Sequence, residues 1–568
     1  MKKILIYGWL VLQWGCASQA PPSGGPEDKT APEILATLPG HDSTRVGRST
    51  AVAINFSERM NKLSTEKAVF ISPTPAGDLD FSWSKNTLFI TLPDSLDEDV
   101  TCVVTIGTDA KDIHDNALKT SHSFAFTTGD SIDRGEISGR VISETTKGVS
   151  IWAYRLRPAG SLLPIDDSVV YKKRADYITQ AGADGTYRLS YLAPGYYRVF
   201  AVADLDADFV YSVAADAIGI PSEDVELASA RSAFAGMDFM MTAEDSSRFD
   251  FLSVTSINPR TTLAGLTKPL SRRYFENRDS FDDIKNHLEL IDSADAKTIP
   301  IKDAYVNTLN QIEIKILTEP LDVRRRYILK VHSLYSSMGD TLTAGKQAFE
   351  VYQGDSVRAT IELAQPKEIN SIVLPDDYFA FRFDKGVTRE RFEQLLFLLD
   401  SSGQKTSGTF TWWNSSYVEF RPSKILASQM AYRLKLNADS LRDWEGVMLS
   451  DTAMVFPFVT FKHDSLGVIT GQVFDKDSTE SRYIIMCRSF GKGRNYSITL
   501  EKAGAYSIPY IVPGKYNILG YRDSDRNEQY SFGKISPIRF AESFTAYADT
   551  VSVRPNWETA NIHLRFKK

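Results

Sequence analysis

The sequence predicts an all-β protein, a linear array of about five β-sandwich domains. Three observations predict it. Apolar and polar residues alternate over short stretches such as AVAINF, NTLFITL, CVVTIG and SFAFTT, the period-2 signature of half-buried strands. These stretches break at Gly, Asn, Asp or Pro, and helical periodicity is confined to TRERFEQLLFLL (388–399) and SFDDIKNHLELI (280–291). Finally, 568 residues exceed what one hydrophobic core serves, and two sequence patterns recur along the chain.

The amino terminus sets the location. Lys2 and Lys3 precede an apolar run over 4–14, then Gly15 and Cys16. Positive start, apolar core and small residue are the order of a secretory signal. The run is too short to cross a bilayer, which takes roughly 20 residues. It resembles a bacterial lipoprotein signal, in which 1–15 is removed and Cys16 becomes the lipidated first residue. Residues 16–32, rich in Pro, Gly and Ser, then read as a flexible tether. The resemblance implies a membrane partner through the lipid and a place in the cell envelope, at the outer membrane. The net charge of -7 offers no footprint for nucleic acid. Cys102 and Cys487 each sit in an apolar alternating stretch and read as buried, unpaired strand residues.

Module B occurs twice, at 135–245 and 467–568. GTYRLSYLAPGYYRVFAVADLDADFVYS aligns without a gap on GAYSIPYIVPGKYNILGYRDSDRNEQYS, identical at about a third of positions. Each copy opens on GEISGRVI or GVITGQVF. In the shared hairpin Pro194 and Pro513 preset φ, Gly195 and Gly514 are expected to supply the positive φ, and the tyrosines that follow fill the sandwich. Module A occurs at 33–128 and 354–461: INFSERM, a Trp strand, a core strand and KDIHDNAL match FRFDKGV, a Trp strand, a core strand and LRDWEGVML. A looser version spans 249–353. The order is A-B-A-A-B.

Module A resembles the bacterial Ig-like domain of surface-layer and envelope proteins, through the F-S-E-x-M strand tip, the D-x-x-x-N turn and the F-A-F-T-T ending. Module B resembles the transthyretin-like or carboxypeptidase-regulatory sandwich, through G-x-I-x-G-x-V, D-G-T-Y and L-x-P-G-x-Y. The whole resembles Ig-like-domain lipoproteins of the Bacteroidota kind. Such motifs imply fold and location and leave activity open.

The sharpest candidate site is D-L-D-A-D, with Asp204, Asp206 and Asp208, repeated as D-S-D-R-N, with Asp523, Asp525 and Asn527. Oxygens at alternate positions suit one hard cation, and Ca²⁺ is the candidate. Against it, position six holds Phe209 or Glu528 instead of Gly, and no Glu stands twelfth; a plain Asx-turned loop has the same composition. Trp412 and Trp413 are adjacent, so one should face the core and the other outward, where it would stack on a sugar or be covered by a neighbouring domain. The seven histidines are scattered, with only His114 and His122 close together, and Arg324, Arg325 and Arg326 open a strand. No phosphate loop or nucleophile elbow is present, so no enzyme is expected. The expectation is a non-enzymatic envelope scaffold or adhesion stalk that binds other proteins, with surface glycan binding as the alternative.

Overall fold

The computed structural model describes residues 28–566 other than 76, 94, 144, 145, 147, 162, 163, 166–171, 207, 214, 229–231, 246, 276–281, 308, 309, 355–357, 367–370, 451, 477–480 and 492. Cys16 and most of the expected tether therefore lie outside the described residues. The protein is an array of β-sandwiches, and the modules are called A1, B1, A2, A3 and B2 in chain order.

The A modules share one strand order. In A1, strands Ile34–Leu38, Val52–Phe56, Thr87–Thr91 and Asp80–Ser84 lie side by side, opposite Val69–Ser72, Thr101–Ile106 and His122–Thr127. A2 repeats this as Phe251–Asn258, Thr261–Leu266, Glu313–Thr318 and Ile301–Val306 over a second sheet centred on Arg326–Val331. A3 repeats it again, with Phe379–Phe383 beside Tyr417–Pro422 and Ala431–Leu436 central in the second sheet. The looser sequence at 249–353 thus folds in the same order as its relatives. Each module encloses its own apolar core, built from alternate strand positions such as Val52, Ile54 and Phe56.

Both predicted helices shrink. TRERFEQLLFLL forms helix Arg389–Leu395 and then strand Leu396–Asp400. Phe392 and Leu395 are buried from the helix, Leu396 and Leu398 from the strand, so one apolar run satisfies both periods in turn. Of SFDDIKNHLELI, the described residues 282–291 form a 3-10 turn, Ile284–His287, feeding strand Leu288–Asp292. A1 has the same device, helix Lys62–Lys67 capped by Asn61, before strand Val69–Ser72. A helix of one or two turns has little stability of its own and takes its place from the strand it leads into.

In B1 strand Gly135–Ile142 pairs with Thr186–Leu192 and, in parallel, with Ala233–Ala235 and Phe239–Met240. The facing sheet runs Tyr177–Gln180, Val149–Pro158, Gly195–Ala203 and Ala217–Gly219. B2 repeats both sheets around Gly467–Phe474 and Gly514–Arg522. The hairpin chemistry differs from expectation. The left-handed residues are Tyr191 (φ 62°) and Tyr510 (φ 55°), not Gly195 and Gly514. A Cβ at Gly195 would crowd the Arg155 side chain at 2.7 Å and the Arg157 carbonyl at 3.0 Å, whereas one at Gly514 would meet nothing closer than 3.5 Å. Tyr197 and Tyr516 do fill the core, and each hydroxyl donates to the hairpin carbonyl four residues back, of Ala193 or Val512, at 2.6 Å.

The array is linear in sequence and folds back in space. B2 returns to B1: Met240 of B1 packs with Ile484, Leu519 and Tyr521 of B2. A second shared cluster joins Phe70 of A1, Trp152, Tyr154 and Phe200 of B1, and Ile535 and Ala541 of B2. Two N–H groups of B2 seal the junction, Ala541 donating to the Pro221 carbonyl at 3.0 Å and Ile535 to the Glu244 carboxylate Oε1 at 2.9 Å. A1 is locked to B1 by Gln180, whose amide both donates to Asp109 Oδ2 (2.8 Å) and accepts from Asp109 N–H (3.0 Å).

Candidate functional site

The two Asp loops leave the central B strands at matched positions. In B1 one oxygen each from Asp204, Asp206 and Asp208 lies within 4.8 Å of the others. Asp204 Oδ2 accepts from Phe209 N–H at 3.0 Å and Asp208 Oδ1 from Val210 N–H at 2.7 Å. Buried Asp216 clamps the loop from its far arm, accepting from Leu205 N–H (3.0 Å) and Ser212 N–H (2.8 Å). Phe209 takes φ 62°, the backbone region for which a calcium loop of the helix-loop-helix kind uses Gly. Its ring meets Phe70 edge-on at 5.7 Å, with Arg174 stacked 4.5 Å away.

In B2 the corresponding three-acid group is Asp523, Asp525 and Glu542, again within 4.8 Å. Asn527 bonds inside the loop: its Nδ2 donates to Asp525 Oδ2 at 2.7 Å and its Oδ1 accepts from Gln529 N–H at 2.6 Å. Glu542 takes the part of Asp216, accepting from Ser524 N–H (2.6 Å) and Ser531 N–H (3.0 Å). Glu528 is left-handed like Phe209 (φ 58°), and its N–H donates to both Asp523 oxygens at 3.2 and 3.3 Å. Arg482 donates to Glu528 Oε1 at 2.9 Å. Burial raises the Asp523 carboxyl to about 6 and that of Glu542 to about 8. In both copies, then, the first Asp (Asp204 or Asp523) accepts from an N–H five residues on, a later one (Asp208 or Asp525) closes an Asx turn, and the loops carry Phe209 and Tyr530 into the apolar cluster shared by the sandwiches. Sequence reasoning missed Asp216 and Glu542, which stand at unequal distances along the chain.

Trp412 and Trp413 are both half-buried. A β-bulge between Trp412 and Asn414 breaks the simple alternation. Trp412 lies parallel to Phe383 at 6.4 Å and donates to Glu393 Oε1 at 2.8 Å, so it covers the A3 core. Cys102 and Cys487 are buried free thiols, each pushed by burial to about 12. Arg325 is neutralised by Asp292, Asp295 and Asp322, leaving Arg326 to open its strand. A cavity of about 710 Å³ opens where A1, B1 and B2 meet, lined among others by Asp109, Lys111, Arg140, Arg488 and Tyr547. A further polar group joins Asp28, Glu58, Asp112 and His114 at one end of A1.

Among known families, residues 28–128 match the bacterial Ig-like domain. A search of curated proteins finds no significant match. Among solved structures, the N-terminal part of the bacterial S-layer protein SbsC is similar over 38% of this chain and 44% of its own, at 10% identity and a TM-score of 0.17. SbsC domains 1–6 cover 92% of this chain, at 10% identity and a TM-score of 0.17, and the chain spans 66% of their length. CopC from Methylosinus trichosporium OB3b covers 19%, at 15% identity and a TM-score of 0.14, with 99% of its own length matched.

Proposed function

We propose that this protein is a lipid-anchored, non-enzymatic scaffold of the bacterial cell envelope, at the outer membrane, which holds other envelope proteins. The observation that carries the reading is the way its sandwiches lock together. Polar pairs such as Gln180–Asp109 and shared apolar clusters join A1, B1 and B2 into one body. That construction suits bearing partners in a fixed geometry. The Ig-like match at 28–128 is in keeping with it. The anchor is Cys16, expected to carry the lipid. Changing Cys16 to Ser should move the protein from the membrane fraction to the soluble fraction; a variant that stays membrane-bound in high salt overturns the anchor. Cross-linking of the native protein in intact envelopes should then give discrete adducts, and a free monomer throughout would overturn the scaffold.

Glycan binding is the second reading, and one observation favours a place for it. Trp557, 63% exposed, borders a hollow of about 280 Å³ with Tyr510 and His463. Such a ring is better placed than Trp412 or Trp413 to stack on a sugar. Retardation in polysaccharide gels, lost in Trp557→Ala, would support this reading over the scaffold.

A further inference from the structure

The apolar seam between B1 and B2 runs out between two arginines. In B2 the outward residues of strands Tyr483–Ser489 and Gly514–Arg522 form cross-strand rows: Ile484 with Tyr521, Met486 with Leu519, and Arg488 with Asn517. The first two rows pack on Met240 and Ile142 of B1. Those B1 residues are themselves a pair in register, on strands Phe239–Met240 and Gly135–Ile142. Arg140 stands two residues before Ile142 and so lies on the same face of its strand. On each sandwich, then, the position beyond the apolar contact is an arginine.

A hollow of about 710 Å³ opens at this end of the seam, and both arginines line it. A1 closes a further side with Lys111 and Leu118. The volume falls in the range of small-molecule sites, about 300 to 1,000 Å³. Each of the three sandwiches gives it one apolar wall residue, Leu118, Ile142 or Leu519, and one cation, Lys111, Arg140 or Arg488.

The cations of the hollow are less engaged than its acids. Among the described residues neither arginine forms an ion pair: the Arg488 guanidinium reaches only the Met486 sulfur, at 3.8 Å, and Arg140 gives its backbone N–H to Asp238 Oδ1 at 2.8 Å. Lys111 Nζ lies 3.6 Å from Asp115, a side chain 81% exposed, where water screens the pair. The two carboxylates of the lining are already bonded. Asp109 Oδ2 accepts from Gln180 Nε2 at 2.8 Å. Asp184 Oδ1 accepts from Thr186 Oγ1 at 2.7 Å and from Thr186 N–H at 3.0 Å. These bonds hold Asp184 below its usual range, with the Arg140 charge adding a smaller pull. Guanidinium donors therefore remain open beside an apolar wall.

We propose that the hollow between the first, second and last sandwiches binds a small organic anion, a carboxylate or phosphate on an apolar body, with Arg140 and Arg488 on the anionic oxygens and Leu118, Ile142 and Leu519 against the apolar part. The planar fork of arginine matches the paired oxygens of either headgroup. Because its walls come from three sandwiches, a bound ligand also ties them together. The site goes beyond the scaffold reading, and its failure leaves the anchor and cross-linking tests untouched.

The test uses the full chain at low salt, with 1-naphthyl phosphate and 1-naphthoate as probes followed by their fluorescence. Binding should saturate at one probe per chain, and the tighter of the two names the headgroup. Neutral 1-naphthol should bind about tenfold more weakly or worse, and so should inorganic phosphate, since each lacks half of what the hollow recognises. Arg488→Gln removes an exposed charge and should leave the melting temperature of the free chain unchanged while weakening the better probe about tenfold. Arg140→Gln should do the same to binding. Arg433→Gln, an equal loss of charge on the exposed face of A3, should bind as the native chain does. The same probe should raise the melting temperature of the native chain and not that of Arg488→Gln, because a ligand that binds only the folded state stabilises it. The proposal is overturned if neither probe saturates, if 1-naphthol binds as tightly as the anions, or if Arg433→Gln weakens binding as much as Arg488→Gln.

Discussion

B1 and B2 share a strand order and about a third of the residues in their matched stretch, yet their Asp loops stand in different surroundings. Asp206 and Asp208 are exposed, and Asp204 is half-buried. Asp523 and Glu542 are buried, and Arg482 beside them is 7% exposed. The central strands behave alike: alternate residues fill the module's own core, while Phe200 and Val202 in B1, and Leu519 and Tyr521 in B2, face a neighbour. In both copies the first carboxylate, Asp204 or Asp523, accepts from an N–H five residues on, and the loop's ring, Phe209 or Tyr530, reaches the cluster shared with neighbouring sandwiches. What differs is the burial, and with it the titration, of Asp523 and Glu542.

The comparison is broken most strongly at the interface. Tyr521 and Val202 occupy matched positions, each at most 1% exposed. Tyr521→Ala should cost about 3–5 kcal/mol, as large aromatic truncations do, and Val202→Ala about 2 kcal/mol, measured by denaturant unfolding. Proteolysis should then nick B2 first in Tyr521→Ala. Equal losses would mean that Tyr521 does not bear on the junction.

The next effect is on pH dependence. The Glu542 carboxyl titrates at about 8 in the fold against a reference of 4.5, and Asp523 at about 6 against 3.8. The native state thus holds these protons more tightly than the unfolded chain. The stability they contribute is fully present below the reference values and is lost as pH rises through about 6 and then about 8. Melting temperature should fall between pH 5 and pH 9 by an amount worth on the order of a few kcal/mol. Glu542→Gln should flatten most of that slope. Parallel profiles for the two proteins would show that Glu542 is ionised throughout.

The smallest effect sharpens the same contrast. Asp206→Ala with Asp208→Ala alters exposed side chains and should shift stability by no more than about 0.5 kcal/mol. A difference that grows when Ca²⁺ is added would mark the first loop as a cation site in its own right. Without one, the loop is closed by peptide hydrogen bonds alone.

Much of this was legible along the chain. The sandwich strands announced themselves by alternation, and B2 was readable from B1 through Gly185, Tyr197 and Asp204 against Gly504, Tyr516 and Asp523. The helical segments misled, because FEQLLFLL meets both the helical and the strand period, and the chain divides it at Leu395. The hairpin misled because Tyr191, with no glycine's freedom, takes the left-handed position. Of the candidate sites, the sequence located the Asp loops but not Glu542. It displayed the F-S-E-x-M tip and the D-x-x-x-N turn without joining Glu58 to Asp112, since more than 50 residues separate them in the chain.

By itself, then, the sequence determined the strands and their repetition, because an alternating pattern depends on neighbours within a few residues. Only the tertiary structure decided what covers them. It brought the last sandwich back onto the second, and buried Asp523 and Glu542 while leaving Asp206 and Asp208 exposed. Burial and charge pairing are properties of surfaces brought together, and an alternating pattern states that a face is hidden without stating by what.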